Sequence, residues 1–193
     1  MDDLRVESKR GTILRAAAAA FREFGVRKTS MEDIATRAGM SRSALYMHYR
    51  NKTDIQTSLR QMQSEALVSS VRCALESEGS LAKRLSRAFL AQAGLKPART
   101  GVGKTGAWRG GLDDPVAAPD RQVLSAVYAD WLAAEASKGR VALSKSPDHI
   151  AETVLDALDG LIRGAADPVD LKARLETLAL LIGHGVSARD GPD

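Results

Sequence analysis

The side chains most able to do specific chemistry crowd into one stretch, where Ser30, Ser41, Arg42, Ser43, Tyr46, His48 and Lys52 supply hydroxyls, a guanidinium, a phenol, an imidazole and an ammonium. No pair among them has the spacing of a nucleophile and its base. Their common ability is to donate hydrogen bonds to oxygen. A guanidinium fits the O6 and N7 edge of guanine with two parallel bonds, while the shorter or point-like groups suit phosphate oxygens. The charge balance agrees with an anionic partner. Residues 1–60 carry 12 Lys and Arg against 7 Asp and Glu, a net of +5, whereas residues 61–193 carry 16 against 17. Basic groups that neutralise phosphates release counterions and attract a polyanion whatever its sequence.

Other chemistries fit less well. Thr100-Gly101-Val102-Gly103-Lys104-Thr105 ends like a phosphate-binding loop, but the position five before Gly103 is Ala98 and no apolar strand precedes it. A nucleotide-binding protein or enzyme built on Gly103-Lys104-Thr105, or a helical module whose basic front binds an acidic protein, stands as the alternative. His48, His149 and His184 lack ligand spacing, and with one cysteine, Cys73, no metal site or cofactor is predicted. Cys73 reads as inert packing. No Gly-x-Ser-x-Gly elbow exists, so no enzyme is expected.

The elements that must position these groups are helices. Ile13, Leu14, Ala17, Ala18, Phe21 and Phe24 recur at intervals of three and four, predicting a first amphipathic helix over 12–24 that Gly25 stops. Ser30, three before Asp33, marks the start of a second, which Gly39 ends. Ser41 caps a third over Arg42 to Tyr49, held inward by Leu45 and Tyr49. Asn51 caps a longer fourth, about 52–77, with Asp54 in its first turn. Two short helices joined by a glycine turn and packed on a preceding helix form a helix-turn-helix, which lays its second helix in the major groove.

The string from Thr29 to Lys52, with Ala35-Thr36-Arg37-Ala38-Gly39-Met40-Ser41 at its turn and Leu45-Tyr46-Met47-His48-Tyr49 after it, closely resembles the DNA-binding signature of the tetracycline-repressor (TetR/AcrR) family. The resemblance covers about residues 8–60. It implies a homodimeric repressor that is released from a nearly palindromic operator by a small molecule. Arg42 is then the expected base reader, with Ser43 and Ala44 beside it; Tyr46, His48 and Lys52 meet phosphates, and backbone amides near Ser30 and Met31 hold another. Arg27 and Arg37 read as solvated charges.

The expected fold is all-α: a helix-turn-helix domain over 1–60, then a helical effector-binding and dimerisation domain over 61–193. Helices are predicted over 81–93, 121–137, 148–164 and 169–187. Residues 94–119 hold six of the sixteen glycines and three of the six prolines and read as a loop, a candidate lid. Phe89, Trp108, Tyr128 and Trp131 are the only aromatics beyond residue 60; spread over separate segments, they either converge on an effector pocket or serve as core. Val154, Leu158 and Leu161 on one helix, and Leu175, Leu178 and Ile182 on the last, form apolar stripes that the resemblance assigns to a four-helix dimer interface. With no apolar signal core at the start and one cysteine, the expected compartment is the cytoplasm.

Overall fold

In a computed structural model, residues 2–95 and 121–186 are described, their side chains from residue 9 onward. Among the described residues there are eight helices and no strand: α1 (Asp2–Phe24), α2 (Met31–Arg37), α3 (Arg42–Tyr46), α4 (Lys52–Glu76), α5 (Leu81–Gln92), α6 (Arg121–Ser137), α7 (Pro147–Gly164) and α8 (Pro168–Val186). No helix among them is long and apolar enough to cross a membrane. The chain divides into two compact units, the first ending at Gln63 and the second beginning at Ser64, so α4 runs through the division.

The first unit closes on one small core. Ile13, Leu14 and Ala17 from α1 meet Ile34 and Ala35 from α2, Leu45 and Tyr49 at α3, and Ile55 and Leu59 from α4. Ile13, Ile34, Leu45 and Ile55 lose all contact with solvent. Each such side chain contributes about 1.5–3 kcal/mol of burial free energy, enough to hold helices as short as α2 and α3 that would not survive alone. The expected face of α1 is largely buried, but Phe24 at its end stays exposed beneath the Arg37 guanidinium. Helix α3 stops at Tyr46 rather than Tyr49. The His48 and Tyr49 amides both donate to the Leu45 carbonyl, 2.9 and 3.0 Å, which tightens the last turn and points Tyr49 inward.

The second unit has a larger core. Helix α5 packs on α8, α6 on α7, and α7 on α8, around Leu75, Leu85, Phe89, Tyr128, Leu132, Leu155, Leu158 and Leu175. Close approach of α5 and α8 needs a glycine: a Cβ on Gly183 would lie 2.9 Å from the Ala82 Cβ and 3.0 Å from its backbone. Beneath this core Glu135 is 1% exposed. Its carboxylate accepts from Arg84 at 2.9 and 3.3 Å and from Arg140 at 3.0 Å, with Lys138 3.4 Å away. Burial by itself would raise its pKa, but the bonds from Arg84 and Arg140 prevail and bring it down from 4.5 to about 2.

Three expectations are corrected here. Val154, Leu158 and Leu175, assigned to a dimer face, are buried in the core of their own unit, because helices of one chain already cover that stripe. Leu161, Leu178 and Ile182 are only partly buried beside it. Cys73, expected to be packed, is exposed on α4. Phe89, Tyr128 and Trp131 do converge, but as packing: Phe89 and Tyr128 rings lie 6.1 Å apart, the Tyr128 hydroxyl donates to Gln92 at 3.0 Å, and the Trp131 indole N–H donates to the Leu75 carbonyl at 3.0 Å. Arg84 stacks 5.1 Å over Trp131. Trp108, the Gly103-Lys104-Thr105 loop and nearly all of the proposed lid lie outside the described residues.

Candidate nucleic-acid interface

The turn between α2 and α3 is fixed at both ends by short-range bonds that the sequence dictates. At the start of α2 the Ser30 hydroxyl accepts from the Asp33 amide at 3.1 Å, and the Asp33 carboxylate accepts from the Ser30 amide at 2.8 Å. Donation from the Ser30 amide foremost, and then from the Ser30 hydroxyl at 2.7 Å, holds the Asp33 carboxyl below its ordinary pKa. The reciprocal pair satisfies two helix-end donors at once. At the other end Gly39 adopts φ +67°, a left-handed conformation that a residue with a Cβ enters only at a cost. This lets the Met40 amide return to the Ala35 carbonyl at 3.0 Å and the Gly39 amide to Thr36 at 3.1 Å, a Schellman closure. Ser41 then caps α3 by accepting from the Ala44 amide at 3.2 Å.

Two ties not foreseen from the sequence anchor the entry to this unit. Thr29 is buried, and its hydroxyl donates to the Gly25 carbonyl at 2.9 Å and to Ala20 at 3.3 Å. Lys52, expected to meet phosphate, directs its ammonium onto the carbonyls of Val26 at 2.6 Å and Thr29 at 2.8 Å. It therefore pins the α1–α2 turn to the start of α4. A lysine three residues before a helical apolar position gives no sign of such a role in sequence, because the acceptors lie 23 and 26 positions away.

With the turn so fixed, α3 presents distinct faces. Leu45 and Tyr49 point into the core, and Arg10 stacks 5.9 Å from the Tyr49 ring. Arg42, Ser43, Tyr46 and Met47 are exposed. The Arg42 guanidinium lies 5.6 Å over the Tyr46 ring and 3.9 Å from a Glu32 carboxylate oxygen, so its long side chain is steered rather than free. The neighbouring Tyr46, and more weakly Glu32, favour its charged form. The Ser43 hydroxyl lies 3.0 Å from that of Ser41. Ala44 and His48 are half-buried and border a shallow depression with Lys9, Thr12, Gly39 and Met40, off the outer face. At the start of α2, Met31 packs against the core, and Glu32 and Asp33 put two carboxylates beside Ser30. Those carboxylates already answer the positive end of the short helix, which leaves Ser30 and Met31 as cap and core contact.

The expected residues thus separate. Arg42, Ser43 and Tyr46 share one exposed surface; Ser30, Ser41 and Lys52 brace it; Ala44 and His48 lie to its side. Met47, which follows Tyr46 directly, and Arg50 are also exposed and were not singled out from the sequence. Helical spacing held the signal for Met47, which follows Ser43 by four positions.

Comparison with known proteins locates this arrangement. Residues 13–58 match the family described as "Bacterial regulatory proteins, tetR family". The chain is 35% identical over 82 residues to the HTH-type transcriptional activator FasR of Mycolicibacterium smegmatis, covering 42% of this chain and 37% of that protein. It is 34% identical over 87 residues to the HTH-type transcriptional repressor KstR2 of Mycobacterium tuberculosis, covering 45% and 44%. In both cases the match spans less than half of the relative's length. The fold extends further. The SmeT–triclosan complex, SmeT being the repressor of a Stenotrophomonas maltophilia multidrug efflux pump, superposes with a TM-score of 0.60 at 21% identity over 95% of this chain and 93% of that one. The curated likenesses thus concern the N-terminal segment, and the structural one concerns the fold.

Proposed function

We propose that the chain is a member of the TetR/AcrR family and a sequence-specific transcriptional regulator that binds a nearly palindromic operator as a homodimer in the cytoplasm, a reading supported by the family match over residues 13–58 and by the all-helical fold. The observation that carries this reading is the outer face of α3, where Arg42, Ser43 and Tyr46 project from a turn fixed by capping bonds. Pre-set donors lose little entropy on binding, so Arg42 is available for a guanine edge. Tyr46, His48 and Arg50 grip the flanking phosphates, and the net positive charge of residues 1–60 supplies attraction to any duplex.

Repression is supported by KstR2 and SmeT, both named as repressors; FasR, named as an activator, makes the position of the operator relative to its promoter the deciding fact. Release by a small effector is supported by the triclosan complex of SmeT. The effector acts by binding better to a form of low operator affinity, so its power equals that difference in affinity. With Val154, Leu158 and Leu175 inside the core, the dimer face is assigned to the outer side of α7 and α8, where Leu161, Leu178 and Ile182 are half-buried and Leu180 and Leu181 are exposed. Adjacent exposed leucines such as Leu180 and Leu181 are what a two-fold helical interface buries.

Selection of bound duplexes from random DNA tests the reading. The expected product is one enriched, two-fold-related site with half-sites about 34–36 Å apart or a multiple of that distance. A pool that stays random through repeated rounds overturns it.

A further inference from the structure

Among the described residues Met47 is the most exposed large apolar side chain, at 85%. It is not at a frayed end. Its backbone is still helical, with φ −68° and ψ −23°, and its amide donates to the Ser43 carbonyl at 3.2 Å. The side chain therefore leaves α3 in a defined direction, one position after Tyr46 and one helical turn beyond the exposed Ser43. Its neighbours are donors suited to polar groups; Met47 offers them nothing. An isolated apolar residue on a protein surface is ordinary, but this one stands where the proposed function puts DNA.

We propose that Met47 is a specificity-determining residue that reads the C5-methyl group of a thymine in the major groove. The inference rests on the DNA-reading function proposed above. In the major groove the thymine methyl is the apolar mark on the base edges, the other marks being donors and acceptors. A thioether side chain is long, unbranched and polarisable, and adapts to a small apolar knob without a fixed donor geometry. Contact removes both the methyl and the Met47 chain end from water. Arg42 and Arg50, both exposed, add positive charge to the same short stretch of chain that carries Met47. Arg42 and Met47 are five residues apart, about 7 Å along a helix axis, or about two base-pair rises. The thymine is accordingly expected two to three pairs from the guanine that Arg42 contacts.

The test uses the full chain and the duplex enriched by selection. Each thymine is replaced in turn by deoxyuridine, which removes only the methyl, and affinity is measured by fluorescence anisotropy at fixed salt. One position in each half-site is expected to weaken wild-type binding about fourfold, the worth of one buried methyl. M47A is expected to bind the thymine duplex more weakly by at least that factor and to lose all sensitivity at that position; M47L restores part of it. Unchanged thermal melting of M47A shows that the fold is intact, as exposure of the side chain predicts. Wild-type binding indifferent to deoxyuridine everywhere, or M47A as sensitive as wild type, overturns the assignment while leaving DNA reading in place. Failure to bind any duplex selectively overturns both.

Discussion

The two units use apolar helix faces differently. In the first, a handful of inward residues fix short helices whose outer surface is assigned the work; in the second, long stripes on α7 and α8 are consumed largely by their own core. The lesson is that an apolar stripe records burial without recording by what, whereas a cap, a glycine turn and a polar face at fixed offsets record a geometry. Substitutions in the two units should therefore separate stability from DNA recognition.

The largest effect belongs to the second core. Leu158→Ala empties a fully buried site and is expected to cost about 2–5 kcal/mol in chemical denaturation, and Gly183→Ala is expected to destabilise through its clash with Ala82. Were Leu158→Ala neutral for unfolding but disruptive to dimerisation, the stripe would belong to an interface after all. Next comes Glu135. Its pKa is lower in the folded chain than the ordinary 4.5, so its contribution is complete above about pH 5 and is lost as pH falls toward 2. Denaturation across that range should show a loss of about 3 kcal/mol from this group, and the Glu135→Gln chain should lack that part of the slope.

Smaller and more revealing is the contrast of two cations in the first unit. Lys52→Met removes the tie to Val26 and Thr29 and should lower the melting temperature, the loss being about 1–3 kcal/mol. Arg42→Ala should leave melting unchanged and instead cost about 1–3 kcal/mol of operator affinity, with relaxed preference at one base pair. If Lys52→Met melted like the wild type and only flattened the salt dependence of binding, its role would be the phosphate contact first expected. The smallest effect is Ser30→Ala, which opens the capping box for about 0.5–2 kcal/mol of stability.

Much of the fold was legible because its signals are local. Ser30 with Asp33, Gly39, Ser41 and Asn51 each punctuate a helix through bonds to residues within a few positions, and the observed ends follow them closely, with α6 running over the expected 121–137. Residues whose roles depend on distant partners were not legible. Thr29 and Lys52 serve carbonyls on another turn, Glu135 gathers Arg84 from 51 positions away, and Phe89, Tyr128 and Trp131 look the same in sequence whether they line a cavity or fill it. The outer face of α3 was half legible: Arg42, Ser43 and Tyr46 stood out by their chemistry, while Met47 was passed over because apolar residues are read as core unless their place on the helix is worked out.

The central claim is that α3 reads sequence through side chains rather than merely holding a polyanion. The most direct measurement compares the affinity of the intact chain for its selected site with that for a scrambled duplex of equal length at physiological ionic strength. The account predicts a ratio of about 10³ or more for the wild type that falls in Arg42→Ala by loss on the selected site alone; a ratio near one, or equal loss on both duplexes, would contradict it.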